Sequence, residues 1–104
     1  MIYEIRTYTL KPGMVNEYVK HFKEVGLPII CKYSRLVGYW IPETGELNQL
    51  IHIWEYESCE DKDKKRAALY DEPEWSINFV PKAMEMLVKQ ESRIMKATNF
   101  SPIK

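Results

Sequence analysis

The stretch Gln49-Leu50-Ile51-His52-Ile53-Trp54-Glu55-Tyr56 decides the fold, because its side chains alternate between two chemical types. Such strict alternation predicts a β-strand whose two faces meet different surroundings. One face carries Leu50, His52, Trp54 and Tyr56, and the other carries Ile51, Ile53 and Glu55. The chain therefore contains at least one sheet with a distinct aromatic and polar face and a distinct aliphatic face.

Three other stretches are predicted as strands. Residues 2–10 are rich in β-branched and aromatic side chains and end at the turn sequence Lys11-Pro12-Gly13. Residues 36–41 precede the strand 49–56, and a hairpin through residues 42–48 is the shortest connection between them. Residues 88–97 have a composition that also suits a helix, and we predict a final strand there on topological grounds, since a strand completes a split βαββαβ order.

Helices are predicted between these strands. Apolar residues recur at helical spacing from Val15 to Val25, and Pro28 predicts a break or kink near residues 26–28, followed by a helical piece over 28–33. Ser58 and the acidic residues after it predict a helix over 59–70 with a largely solvated charged surface. A further helical segment lies within residues 73–87, bent near Pro81.

This order predicts an α+β fold, a ferredoxin-like split βαββαβ protomer with an antiparallel sheet and helices on one side, as a single domain over residues 1–104. If the aliphatic side chains of Ile5, Ile51 and Ile53 face the helices, the uncovered side carries the aromatic and polar residues. Exposed apolar patches of that size usually mark an interface. A second copy of the chain is then the natural cover.

Composition excludes several classes of function. The 104 residues carry 15 Lys+Arg and 15 Asp+Glu, and this zero net charge argues against nucleic acid or an anionic membrane as a partner. We find no leader sequence and no long apolar window, so we expect a cytoplasmic protein in which Cys31 and Cys59 are reduced structural thiols. Neither metal-ligand spacing nor a glycine-rich phosphate loop is present, so we expect no metal and no cofactor.

Four segments together resemble the NIPSNAP family. They are residues 1–8 (MIYEIRTY), 38–40 (GYW), 47–56 (LNQLIHIWEY) and 71–75 (DEPEW), and the resemblance spans essentially the whole chain. It implies a homodimer in which two ferredoxin-like protomers pair sheet to sheet into a dimeric α+β barrel, and this is why we prefer a strand for residues 88–97. The resemblance implies no settled reaction, since eukaryotic members are linked to mitochondria and to vesicle or autophagy adaptor roles.

The strongest candidate site is His52 beside Arg6 and Tyr8, on neighbouring strands. An imidazole, a phenol and a guanidinium suit an anionic or enolisable small molecule, with His52 as base, Tyr8 as proton donor and Arg6 as a charge-matching clamp. The alternative is that these side chains pair with each other inside a packed core. The further pocket candidates are Trp54, Tyr56, Trp40 and Arg93, where Arg93 either adds a second cation or pairs with Glu4. The other histidine, His21, is expected on the surface or at the flank of a helix.

Three functions follow as expectations. The first is a homodimeric barrel protein that binds a small organic molecule in a pocket between sheet and helices. The second, by analogy with related barrel families, is a cofactor-independent monooxygenase or isomerase that uses His52, Tyr8 and Arg6. The third is a protein-interaction module that uses exposed edges or the tail after Ala97.

Overall fold

The fold has the predicted order of strands and helices, in a computed structural model that describes residues 1–104. The strands are β1 (Ile2–Leu10), β2 (Arg35–Trp40), β3 (Gln49–Tyr56) and β4 (Leu87–Met95). The helices are α1 (Val15–His21), α2 (Leu27–Ile30), α3 (Cys59–Tyr70) and α4 (Val80–Met86), with π-helical turns π1 (Phe22–Gly26) between α1 and α2 and π2 (Glu74–Phe79) before α4. The α+β ferredoxin-like prediction is confirmed, including the final strand.

The four strands form one antiparallel sheet in the order β2-β3-β1-β4. In the centre of the sheet Arg6 on β1 lies opposite His52 on β3 and opposite Ser92 on β4. In β2 the register shifts between Leu36 and Gly38, after which Tyr39 lies opposite His52. The topology thus brings four strands' side chains together around Arg6 and His52.

The helices cover the opposite face of the sheet from the one we expected. His52 and Trp54 are only 3% and 1% exposed because they lie under the helices, whereas Ile51 and Ile53 on the other face are half-buried. Aromatic side chains bury more apolar area than isoleucine does, which favours the aromatic face as the core. We call the surface that carries Ile5, Ile51 and Ile53 the open face.

The two predicted proline kinks are π-helical turns within continuous helical runs. The backbone N–H of Leu27 donates to the carbonyl of Phe22, and that of Val80 donates to the carbonyl of Trp75, each five residues back. A proline follows directly in both cases, at positions 28 and 81. Proline has no N–H to donate, and a widened turn accommodates its ring without ending the helix.

The two helical runs pack against each other through His21 and Phe79. His21 was expected on the surface, and this expectation is wrong: the residue is 7% exposed, and its ring stacks on Phe79 with centroids 4.8 Å apart. The Nε2 atom of His21 lies 3.0 Å from the carbonyl oxygen of Phe79, to which it donates. Gly26 lets the runs approach, since a Cβ atom there would lie 2.7 Å from the Phe79 ring.

Helix α3 has the predicted limits and the predicted N-terminal cap. The hydroxyl of Ser58 accepts a hydrogen bond of 3.0 Å from the backbone N–H of Asp61. The Asp61 carboxylate in turn accepts from the backbone N–H of Glu57 at 3.0 Å. The first bond satisfies a donor that the first turn of a helix otherwise leaves free, and the second ties the residue before the cap to that turn. The cap defines where the helix begins, and near its other end Leu69 packs into the core.

Candidate ligand-binding site

A cavity of about 40 Å³ lies between the helix-covered face of the sheet and the helices. Its sheet side is formed by Arg6, Tyr8, His52 and Trp54, and the partly exposed side chains of Tyr70 and Met84 also line it. A cavity of roughly 10–15 Å³ by this measure holds one water molecule. The space therefore accommodates a group of a few heavy atoms, such as a carbonyl or carboxylate head.

Neighbouring aromatic groups fix the position of His52. Its ring stacks on Tyr39 with centroids 4.4 Å apart and planes 4° from parallel, and Tyr8 meets it edge-on at 4.6 Å. The indole N–H of Trp54 donates to Nδ1 of His52 over 2.7 Å. Since Nδ1 accepts, a neutral His52 carries its proton on Nε2.

The same environment keeps the imidazole neutral. Burial, and to a smaller extent the positive charges of Arg6 and Arg66, lower the pKa of His52 from 6.5 to about 3. The basic lone pair is already engaged by Trp54. The neutral His52 therefore offers an Nε2–H donor, while its basic nitrogen accepts from Trp54.

Three residues that line the cavity have a buried polar atom with no hydrogen-bond partner. These atoms are Nε2 of His52, Oη of Tyr39 and Nε1 of Trp75. Buried polar groups are almost always satisfied, and leaving one unpaired costs about 1–3 kcal/mol. All three atoms can donate a hydrogen bond. The cavity is thus chemically matched to an oxygen that accepts hydrogen bonds.

Arg6 is held by partners on its own strand. Its Nη1 donates to Oε2 of Glu4 at 2.8 Å, and its Nε donates to the hydroxyl of Tyr8 at 2.9 Å. Ser92 donates to the same Glu4 oxygen at 2.6 Å. Burial raises the pKa of Glu4, but the Ser92 hydrogen bond and the Arg6 charge outweigh it and hold that pKa below its ordinary value. Glu4 is therefore ionised and compensates the charge of Arg6.

The structure brings together four of the predicted site residues. Arg6, Tyr8, His52 and Trp54 all line the one cavity. The hydroxyl of Tyr8 accepts from Arg6, so its own proton is available to a further acceptor.

The other three predicted residues lie elsewhere. Tyr56 is 1% exposed on the helix-covered face and shares a hydrogen bond of 2.9 Å with the hydroxyl of Ser34. Trp40 lies opposite Ile51 on the open face and is 51% exposed. Arg93 lies opposite Ile5 on that same face, and it neither lines the cavity nor pairs with Glu4.

Tyr39 and Arg66 are two polar residues of the cavity that were not predicted from the sequence. Tyr39 faces His52 only because the register shift in β2 turns it toward the helices, and alternation alone does not reveal such a shift. Arg66 was assigned to the solvated charge run of α3. It precedes the buried Leu69 by three residues, a spacing that puts both side chains on the inner side of a helix. That signal was present in the sequence.

The family model for NIPSNAP matches residues 3–102. The chain belongs to the NIPSNAP family. Human NipSnap homolog 3A is 37% identical over 95 residues, which cover 90% of this chain and 38% of that protein. The chain therefore spans well under half the length of such relatives.

Solved structures agree with this membership. A NIPSNAP family protein of unknown function from Agrobacterium tumefaciens is 39% identical and superimposes with a TM-score of 0.95, over 100% of this chain and 94% of that one. An antibiotic biosynthesis monooxygenase superimposes with a TM-score of 0.69 at 13% identity, over 94% of this chain and 99% of the other. At that identity the likeness is one of fold alone.

No helix combines the length and the apolar character that crossing a membrane requires. No group of three or more His, Cys, Asp and Glu side chains lies together in an arrangement that could hold a metal ion.

The lowered pKa of His52 makes stability depend on pH in a defined direction. The unfolded histidine takes up a proton below pH 6.5, whereas the folded one does so only near pH 3. Stability is therefore complete above pH 6.5 and falls as the pH drops toward 3. His52→Gln, whose side-chain oxygen can still accept from Trp54, removes this one titration.

We expect the free energy of unfolding of the wild type to fall more steeply with acid than that of His52→Gln, by up to about 1.4 kcal/mol per pH unit. Urea unfolding at a series of pH values between these limits measures the difference. Every other titratable group is present in both proteins, so its contribution cancels in the comparison. Parallel curves would show that His52 is not kept neutral by the fold.

Proposed function

We propose that this NIPSNAP protein binds a small organic molecule through an oxygen-bearing head group that enters the cavity beside His52. The observation that carries the proposal is that His52 and Tyr39, which line one cavity, each have a buried donor without a partner, Nε2–H and the hydroxyl. The two rings are stacked, so their donors are held on a rigid platform. A ligand oxygen that accepts from both relieves two unpaired buried groups at once.

The size of the cavity limits how such a ligand binds. About 40 Å³ holds a head group of a few heavy atoms but not a whole aromatic ring, since a cavity that holds benzene measures about 150 Å³. The apolar body of the ligand then lies toward the exposed side chains of Tyr70 and Met84. Methionine adapts its shape readily, which suits it to contact ligands of varied outline.

A second candidate, a cofactor-independent oxygenase or isomerase, uses the same donors. A neutral histidine that donates through Nε2–H stabilises the negative oxygen of an enolate or phenolate without giving up its proton. The low pKa of His52 favours this role over that of a base. Exchange of a ligand's carbon-bound hydrogen with solvent deuterium is the observation that separates catalysis from binding alone.

The proposal includes a cytoplasmic homodimer that pairs through the open face. That face carries the half-buried Ile5, Ile51 and Ile53 together with the exposed Trp40, an apolar surface of the kind that usually marks an interface. The helices leave it uncovered. Cys31 and Cys59 are both free and exposed, which suits a reducing compartment.

The ligand proposal is tested with benzamide, whose head group presents an acceptor oxygen, and with toluene, which has none. Tyr39→Phe removes one donor and leaves the ring that stacks on His52. We expect wild-type protein to bind benzamide more tightly than toluene, and Tyr39→Phe to weaken benzamide binding roughly 3- to 10-fold while leaving toluene unchanged. Titrations followed by NMR measure both. Equal binding of the two probes, or no effect of Tyr39→Phe on benzamide, would contradict the proposal.

The dimer is tested by sedimentation analysis of the wild type and of Ile51→Glu. We expect a wild-type dimer and an Ile51→Glu monomer, because a carboxylate in the middle of an apolar interface loses its hydration without gaining a partner. Ile77→Glu is the matched control, since Ile77 is 69% exposed on π2 and away from the open face. It should stay dimeric. A monomeric wild type, or equal loss of the dimer in both variants, counts against this interface.

A further inference from the structure

The cations of α3 differ in how they are paired. Each lysine of the helix lies near an acidic side chain, at 3.7, 3.4 and 3.2 Å: Lys62 with Asp63, Lys64 with Glu60 and Lys65 with Asp61. Arg66 forms no ion pair and no side-chain hydrogen bond, and its guanidinium lies 5.6 Å from the centre of the Tyr70 ring. Arg66 is also the cation of this helix that lines the cavity. Its positive charge is therefore left without a partner beside the cavity.

No acidic side chain in or near the cavity is free to compensate the charge of Arg66. Arg6 is already paired with the buried Glu4 over 2.8 Å, so these two groups together contribute no net charge. The cavity is lined by two arginines and by no aspartate or glutamate. The influence of Arg66 reaches the interior, since its charge helps to lower the pKa of both His52 and Glu4. The cavity consequently has one uncompensated positive charge.

We infer that the head group bound in the cavity is a carboxylate, and that Arg66 is the residue that selects its negative charge. This inference rests on the proposed function, because it specifies the oxygen-bearing group that His52 and Tyr39 receive. A carboxylate has three heavy atoms and suits the volume of the cavity. One of its oxygens accepts from the neutral donors on the sheet side, and the charge is matched by a guanidinium, the group whose planar donors best fit a carboxylate. Arg6, which the sequence pointed to as the clamp, instead supports the site through Glu4 and Tyr8.

Benzoate and benzamide test this inference as a pair, because they have nearly the same shape and differ in charge. We expect the wild type to bind benzoate more tightly than benzamide. Arg66→Gln should weaken benzoate about tenfold and change benzamide by less than about twofold. Added salt should weaken benzoate binding to the wild type more than to Arg66→Gln.

Lys64→Gln is the matched control, since it removes the same charge from the same helix at a side chain that is 76% exposed and paired with Glu60. It should leave the ratio of benzoate to benzamide affinity unchanged. Arg66→Lys keeps the charge and should retain most of the preference for benzoate. Thermal unfolding of each variant confirms that the fold is intact. A purely structural role of Arg66 would change the affinities for both probes together.

These measurements distinguish ligand binding at His52 and Tyr39 from the selection of a carboxylate by Arg66. Failure of the wild type to bind either probe would overturn the proposed function and this inference with it. Benzamide binding that responds to Tyr39→Phe, combined with a benzoate preference that is absent or unaffected by Arg66→Gln, would overturn only the assignment of Arg66 and the carboxylate. Loss of the benzoate preference in Arg66→Gln but not in Lys64→Gln would support both.

Discussion

The hydrogen bond from the indole N–H of Trp54 to Nδ1 of His52, 2.7 Å long, determines the chemistry of the cavity. Both groups are buried, so neither can exchange its partner for water without opening the core. The bond satisfies the indole, fixes the imidazole as an acceptor at Nδ1 and thereby places the remaining proton on Nε2. Trp54 thus sets the tautomer of His52, while burial and the nearby charges of Arg6 and Arg66 lower its pKa and keep it a neutral donor near neutral pH.

The charged side chains around this donor are of two kinds: Arg6 and Glu4 are paired with each other, whereas Arg66 has no ion-pair partner. On the sheet side, Glu4 receives hydrogen bonds from Arg6 and Ser92, which makes a compact and internally neutral network in the core. Such a network is stable because each buried charge has a partner at hydrogen-bond distance. Arg66 on α3 has no such partner. This difference in pairing explains why the site holds one uncompensated positive charge although the net charge of the chain is zero.

Much of the fold could be predicted from the sequence, because strand alternation and helix periodicity are local signals. The alternation of residues 49–56 defined β3 to the residue, and the family resemblance favoured a strand for β4 where propensity alone allowed a helix. Which face the helices cover was predicted wrongly, since both faces are apolar and the choice depends on the total area buried. The position of His21 was predicted wrongly for a related reason, because its burial depends on how two helical runs cross.

Part of the cavity could also be predicted. Arg6, Tyr8, His52 and Trp54 share one sheet face by simple alternation, whereas Tyr39 reaches that face through a register shift that leaves no clear trace in the sequence.

The most direct test of this arrangement is the protonation state of His52, read from the ¹⁵N chemical shifts of its two ring nitrogens. The wild type should show a neutral ring with the proton on Nε2, and the ring should stay neutral down to about pH 5, where an ordinary histidine is largely charged. Trp54→Phe, which removes the donor to Nδ1, should lose this strict preference for one tautomer. A proton on Nδ1 in the wild type, or titration near the ordinary value of 6.5, would contradict the assignment of His52 as a fixed neutral donor.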